Sequence, residues 1–216
     1  MIKRLSITTR IVLLLALPLS ATSQSQNIDV AVPSNWAEYK FNNAVFSIKV
    51  PPTLELRGED DKYTILEQTL TNTSPVDNLI IFQQKGLAFN LQEARQRYAR
   101  VMIQYYTEAY NLFPTANEQI DFSKQEVLEI IDGELFGADM RAYNISYGKG
   151  VVNGNQSFII RYTRTGVGSA PPVRCKICIL CNRQHFVKII YSYREKEFDI
   201  WSNDFEKSLQ TFRWLR

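Results

Sequence analysis

Three cysteines, Cys175, Cys178 and Cys181, form a C-x2-C-x2-C run, and the only histidine of the chain, His185, follows four residues later. Thiolates and imidazole are ligands that tetrahedral zinc accepts, so Cys175, Cys178, Cys181 and His185 are a candidate Cys3His set. Sharing one ion requires residues 175–185 to fold as a compact loop. On a strand, Cys175 and Cys181 share one face about 20 Å apart while Cys178 points to the other. The surrounding pattern also reads as a strand. Cys175, Ile177 and Ile179 alternate with Arg174, Lys176 and Cys178, and Val187, Ile189, Tyr191 and Tyr193 alternate in the next segment, which makes cysteine a small core residue. An oxidising compartment adds a third reading, one disulfide with one thiol left over. All three readings stand on the sequence alone.

Nucleophilic catalysis has a single imidazole to draw on, so a thiol or hydroxyl nucleophile has to pair with His185, with Cys181 nearest in sequence. No HExxH, GxSxG, phosphate loop or dinucleotide fingerprint is present. Gly166, Gly168 and Ser169 before two prolines read as a turn. Glu126, Glu129, Asp132 and Glu134 invite comparison with a glycosidase acid pair. Around Val127, Ile130 and Ile131 they read instead as the solvated side of a strand. Tyr106 and Tyr110 are candidate surface-binding residues, whereas Tyr98 and Tyr105 fall on an apolar stripe and read as core. Asn72, Asn144 and Asn155 begin Asn-x-Ser/Thr triplets, which act only in a glycosylating host.

The elements that position these residues alternate between two periods. Asn42 and Asn43 suit a two-residue hairpin turn, pairing Phe41 with Ala44, Tyr39 with Phe46 and Ala37 with Ile48, before Pro51 and Pro52 end the ladder. Further strands are expected at 53–57, 62–70 and 78–85. Asn90 with Glu93 three residues on marks a helix start. Leu91, Ala94, Tyr98, Val101, Met102, Tyr105, Ala109 and Leu112 then trace one face of a long helix ending before Pro114. Strands are expected again at 125–131, 134–147, 156–165, 173–180 and 186–193. A last helix presents Phe198, Trp201, Phe205 and Leu209 on one side, followed by a short tail at 211–214. Two helices among many strands with hairpin-length connections give an α+β class, an antiparallel sheet flanked by a long helix and a C-terminal helix.

The N-terminus supplies an address. Lys3, Arg4 and Arg10 precede an apolar run from Ile11 to Leu19 and small residues at Ala21 and Ser23, the pattern of a signal peptide over residues 1–23. That run is about half the length needed to span a bilayer and is broken by Pro18, so no transmembrane anchor is expected in the mature form. Residues 24–35 read as an extended leader and 36–216 as one α+β domain. The net charge of +3 equals the three cations of the export segment. The mature chain is therefore balanced, and a nucleic acid partner loses its electrostatic basis. With 45% hydrophobic and 12% aromatic residues the domain has material for a full core.

Three stretches together resemble the PsbP-like family of small extracytoplasmic or import-related α+β domains. They are the aromatic-rich strand 44–52 running into proline, the passage 79–112, and the ending 185–214 with Phe205, Glu206, Lys207, Ser208 and Leu209 before Thr211, Phe212, Arg213 and Trp214. The resemblance implies an antiparallel sheet sandwiched by helices and a non-catalytic role binding a larger protein. The cysteine run is not part of that pattern. The expectation is an exported accessory protein, extracytoplasmic after cleavage near Ala21 or Ser23, whose partner is another envelope or secreted protein and which has no cofactor. The alternatives are an envelope hydrolase or zinc-binding protein using the Cys175 to His185 segment, and a small-ligand carrier with a pocket between sheet and helices.

Overall fold

The computed structural model describes residues 31–41, 45–57, 78–87, 96–106, 120–135, 140–166, 168–182 and 185–215. The export segment, the expected strand at 62–70, the Asn90 cap and Tyr110 lie outside the described residues.

Seven antiparallel strands form the main sheet, in the order β3-β4-β5-β9-β8-β7-β6. They are β3 (Leu54–Leu56), β4 (Asn78–Gln84), β5 (Ala99–Tyr106), β6 (Ala142–Val152), β7 (Asn155–Arg164), β8 (Val173–Cys181) and β9 (Phe186–Arg194). A second, three-stranded sheet joins β1 (Ala37–Phe41), β2 (Phe46–Val50) and β10 (Arg213–Trp214) in the order β1-β2-β10. Helix α1 (Lys124–Asp132) lies on one face of the main sheet, and helix α2 (Phe198–Gln210) lies with the small sheet on the other. The α+β antiparallel class read from the sequence is the class observed.

Two apolar clusters, one on each side of the main sheet, follow from strict alternation along its central strands. Val101, Ile103, Val187, Ile189, Cys178 and Leu180 pack with Phe46, Ile48, Trp201, Phe205, Leu209 and Phe212. Met102, Ile190, Cys175, Ile177, Ile179, Phe158 and Ile160 pack with Val127 and Ile131 of α1. Helix α2 is fastened to β2 by polar contacts as well. The Ser208 hydroxyl donates to the Lys49 carbonyl at 2.7 Å, and the Lys49 N–H donates to Thr211 Oγ1 at 2.8 Å.

Three local expectations are corrected. Residues 99–106, expected within a long helix, form a central strand paired with β4 and β9. A strand covered on both faces is apolar nearly throughout, and such a run satisfies helical spacing as easily as alternation. Residues 125–131, expected as a strand, are helix α1. Its start is a capping box, with the Glu126 N–H donating to Ser123 Oγ and the Ser123 N–H donating to the Glu126 carboxylate at 2.8 Å. The strand expected from Glu134 begins at Ala142.

The β1–β2 hairpin exists, but Phe41 pairs with Phe46 and Tyr39 with Ile48, two residues beyond the expected register. The slip by an even number keeps every side chain on its face, and it brings the Phe41 and Phe46 rings to 5.2 Å. The two-residue turn sits elsewhere, at Asn153 and Gly154, where φ is +44° and +76° and Val152 pairs with Asn155.

Candidate functional site

The cysteine run lies on β8, and alternation separates its members. Cys178 enters the cluster beneath α2, whereas Cys175 and Cys181 face the side that carries α1. Neighbours three apart on a strand have Cα atoms about 10 Å apart, beyond disulfide reach, and all three thiols are free. His185 packs on Tyr105 and Trp214, its Nδ1 lying 2.7 Å from Tyr105 Oη, on the side of the sheet away from Cys181. The four side chains do not converge on one point. Among the described residues no group of three or more His, Cys, Asp or Glu is placed to hold a metal ion.

Burial also quiets these groups. It pushes the Cys175 thiol up to about 11 and the Cys178 thiol up to about 12, raises Cys181 in the same direction, and lowers His185. Neutral pH therefore leaves the thiols protonated and the imidazole neutral, the opposite of an activated thiolate and imidazolium pair.

The carboxylates expected on the solvated side of a strand belong to α1 and the turn after it. Glu126 is spent on the helix cap, and Glu129 accepts from the Gln125 amide at 3.0 Å. Glu134 is buried and ion-paired with Lys188, Oε1 to Nζ 2.5 Å, so it is neither solvated nor half of a cleft pair. Tyr106 is half-buried, its ring 5.2 Å from that of Phe186. Tyr98 is half-buried too, ringed by the guanidinium groups of Arg100, Arg164 and Arg194 at 5.2, 5.8 and 5.5 Å.

A concave site forms on the α2 side of the sheet, between the helix and residues of β6, β7 and β8. The groove encloses about 590 Å³ and is lined by Arg161, Arg174, Lys176, Tyr193, Phe198 and Asn144, among others. Strand register sets its floor. Arg161, Lys176 and Tyr191 stand in one cross-strand row, and Thr163, Arg174 and Tyr193 in the next. Helix α2 supplies the wall through Phe198, Ser202, Asn203, Phe205 and Glu206. The rim is shaped by a register shift in β6 between Tyr143 and Ser146, with Asn144 at φ +52°. Such bulges re-aim side chains and recur beside binding sites.

The charges of the groove do not cancel. Arg174 Nε is 3.1 Å from Glu195 Oε1, with its guanidinium 4.6 Å above the Phe198 ring. Lys176 Nζ meets both oxygens of Glu206 at 2.6 Å. Arg161 is exposed and has no carboxylate partner among the described residues. The arrangement can hold an anion against aromatic walls. Of the lining, the sequence marks Cys175 as a candidate ligand and Asn144 as the start of an Asn-x-Ser triplet, and it does not mark Arg161, Arg174 or Lys176, because the rows that unite them exist only after β7, β8 and β9 pair.

No protein-family model and no curated protein matches the sequence. Among solved structures, the cyanobacterial PsbP protein CyanoP from Synechocystis superposes with a TM-score of 0.52 at 15% identity, covering 83% of this chain and 92% of that one. A protein from Bacteroides thetaiotaomicron gives 0.46 at 8% identity over 83% of this chain and 48% of its own. LpqN of Mycobacterium tuberculosis, described as involved in cell envelope biogenesis, gives 0.41 at 8% identity over 82% and 88%. Identity at this level carries architecture and nothing of ligands. The two-sided packing of an antiparallel sheet, with a C-terminal helix running into a short final strand, is a PsbP-like fold.

Proposed function

We propose that this chain is an exported, non-catalytic binding protein that serves as an accessory to another envelope or secreted protein, with the groove beneath α2 as its binding site. The groove carries the reading, because it is the place where unpaired positive charge, exposed aromatic surface and concavity coincide. Cys175 and Cys181 lie on one side of the sheet and Cys178 and His185 on the other, the thiols protonated and the imidazole neutral at pH 7. Export rests on the charged start, apolar run and small residues of 1–23. Among the described residues no helix is long and apolar enough to cross a membrane. The accessory role is the one implied by the PsbP-like resemblance.

A second reading, a small-ligand carrier using the same groove, is favoured by size, since about 590 Å³ lies within the usual range of ligand pockets. The test is a photoreactive benzophenone amino acid placed at Ser202, in the groove, or at Lys124, on the α1 side, of the chain expressed with its own N-terminus in a bacterial host. The reading expects a processed, extracytoplasmic chain that gives a discrete adduct from Ser202 and none from Lys124. An unprocessed cytoplasmic chain, or equal adducts from both positions, contradicts it.

A further inference from the structure

We infer that the groove takes a small organic monoanion, a single carboxylate attached to an aromatic or apolar body, with Arg161 as its anchor. This rests on the groove being the binding site. Arg161 lies directly opposite Lys176 in the β7–β8 register, and like charges so placed repel. Helix α2 relieves half of that repulsion by bringing Glu206 onto Lys176, and Glu195 covers Arg174 in the neighbouring row. Among the described lining residues three cations thus meet two carboxylates, and the charge left over is that of the exposed Arg161. One carboxylate completes the balance, and a dianion overshoots it. A guanidinium holds a carboxylate through two parallel N–H bonds, which fixes its orientation as well as its charge.

The walls then specify the rest of the molecule. Phe198 is 42% exposed although it belongs to the apolar side of α2, and its ring packs 6.4 Å from that of Tyr193. The other apolar residues of that side, Trp201, Phe205 and Leu209, are buried. An exposed ring at the mouth of a cationic groove gives an apolar body a surface to cover, while Ser202 and Asn203 on the wall offer polar groups. A free inorganic anion leaves those rings unused, and a neutral aromatic leaves Arg161 unbalanced.

The experiment compares three probes by calorimetry on the mature chain: 2-naphthoate, its neutral isostere 2-naphthamide, and acetate. The inference expects 2-naphthoate to bind at least tenfold more tightly than either of the others. R161Q should lose about tenfold in affinity for 2-naphthoate, the scale of one charge-assisted hydrogen-bond pair, with an unchanged circular dichroism spectrum. The control K124Q, on the opposite side of the molecule, should bind as the parent does. Equal affinity for acid and amide, an unchanged R161Q, or no binding of any probe overturns the inference. A groove adduct from Ser202 alongside such a failure leaves the binding site standing and removes the monoanion.

Discussion

Thiol labelling reads the placement of the cysteine run directly. Cys178 is fully buried beneath α2, and a thiol titrating near 12 carries, at pH 8, about a thousandth of the thiolate of one titrating at the ordinary 9.0. Iodoacetamide reacts with the thiolate, so chemistry alone slows Cys178 about a thousandfold, and exclusion from solvent slows it further until the fold opens. Cys175, at about 11, is slowed about a hundredfold by the same reasoning. Cys181 is half-buried at the end of β8 and is the fastest of the three. A timed iodoacetamide pulse at pH 8, followed by peptide mass spectrometry, should label Cys181 first and Cys178 last in the native chain. All three should label together in denaturant. Labelling of Cys178 within tenfold of Cys181, or a native chain with no free thiol, refutes the alternation that separates the three thiols.

Other consequences concern stability. Lys188→Ala leaves the buried Glu134 carboxylate without its ammonium and should cost about 3 kcal/mol in urea unfolding, whereas E134L/K188M together should recover most of it. Ser123→Ala removes the α1 cap and should cost about 1 kcal/mol at pH 7. Hydrogen bonds from Ser123 hold the Glu126 carboxyl below its ordinary 4.5, so its contribution is present above that value and fades as pH falls through the lower folded one. The difference between parent and S123A, measured at a series of pH values, should therefore shrink below about pH 4.5. Gly154→Ala places a side chain at φ +76° in the two-residue turn and should lower stability by about 1 kcal/mol, measured by thermal melting.

The sequence conveyed alternation wherever one face of a strand is polar or where a strand is flanked by clear turns. Val173–Cys181 and Phe186–Arg194 were legible for that reason, as were Asn155–Arg164 and the buried side of α2. Ala99–Tyr106 was not, because burial on both faces erases the polar half of the pattern that separates a strand from a helix. The α1 start was written in Ser123 and Glu126, and the β6–β7 turn in Asn153 and Gly154, so those two features carried local signals of ordinary strength. The groove is a different case. Arg161, Arg174 and Glu206 come from three elements, and nothing local to any one of them announces the others. The residues with the strongest chemical character, the cysteines and His185, draw attention by type, and the fold disperses them.

Chemical-shift mapping of the mature chain titrated with 2-naphthoate tests the groove most directly. Shifts confined to Arg161, Arg174, Lys176, Tyr193, Phe198 and Asn203, and abolished in R161Q, are the predicted result. Shifts centred on α1, or none that saturate, contradict it.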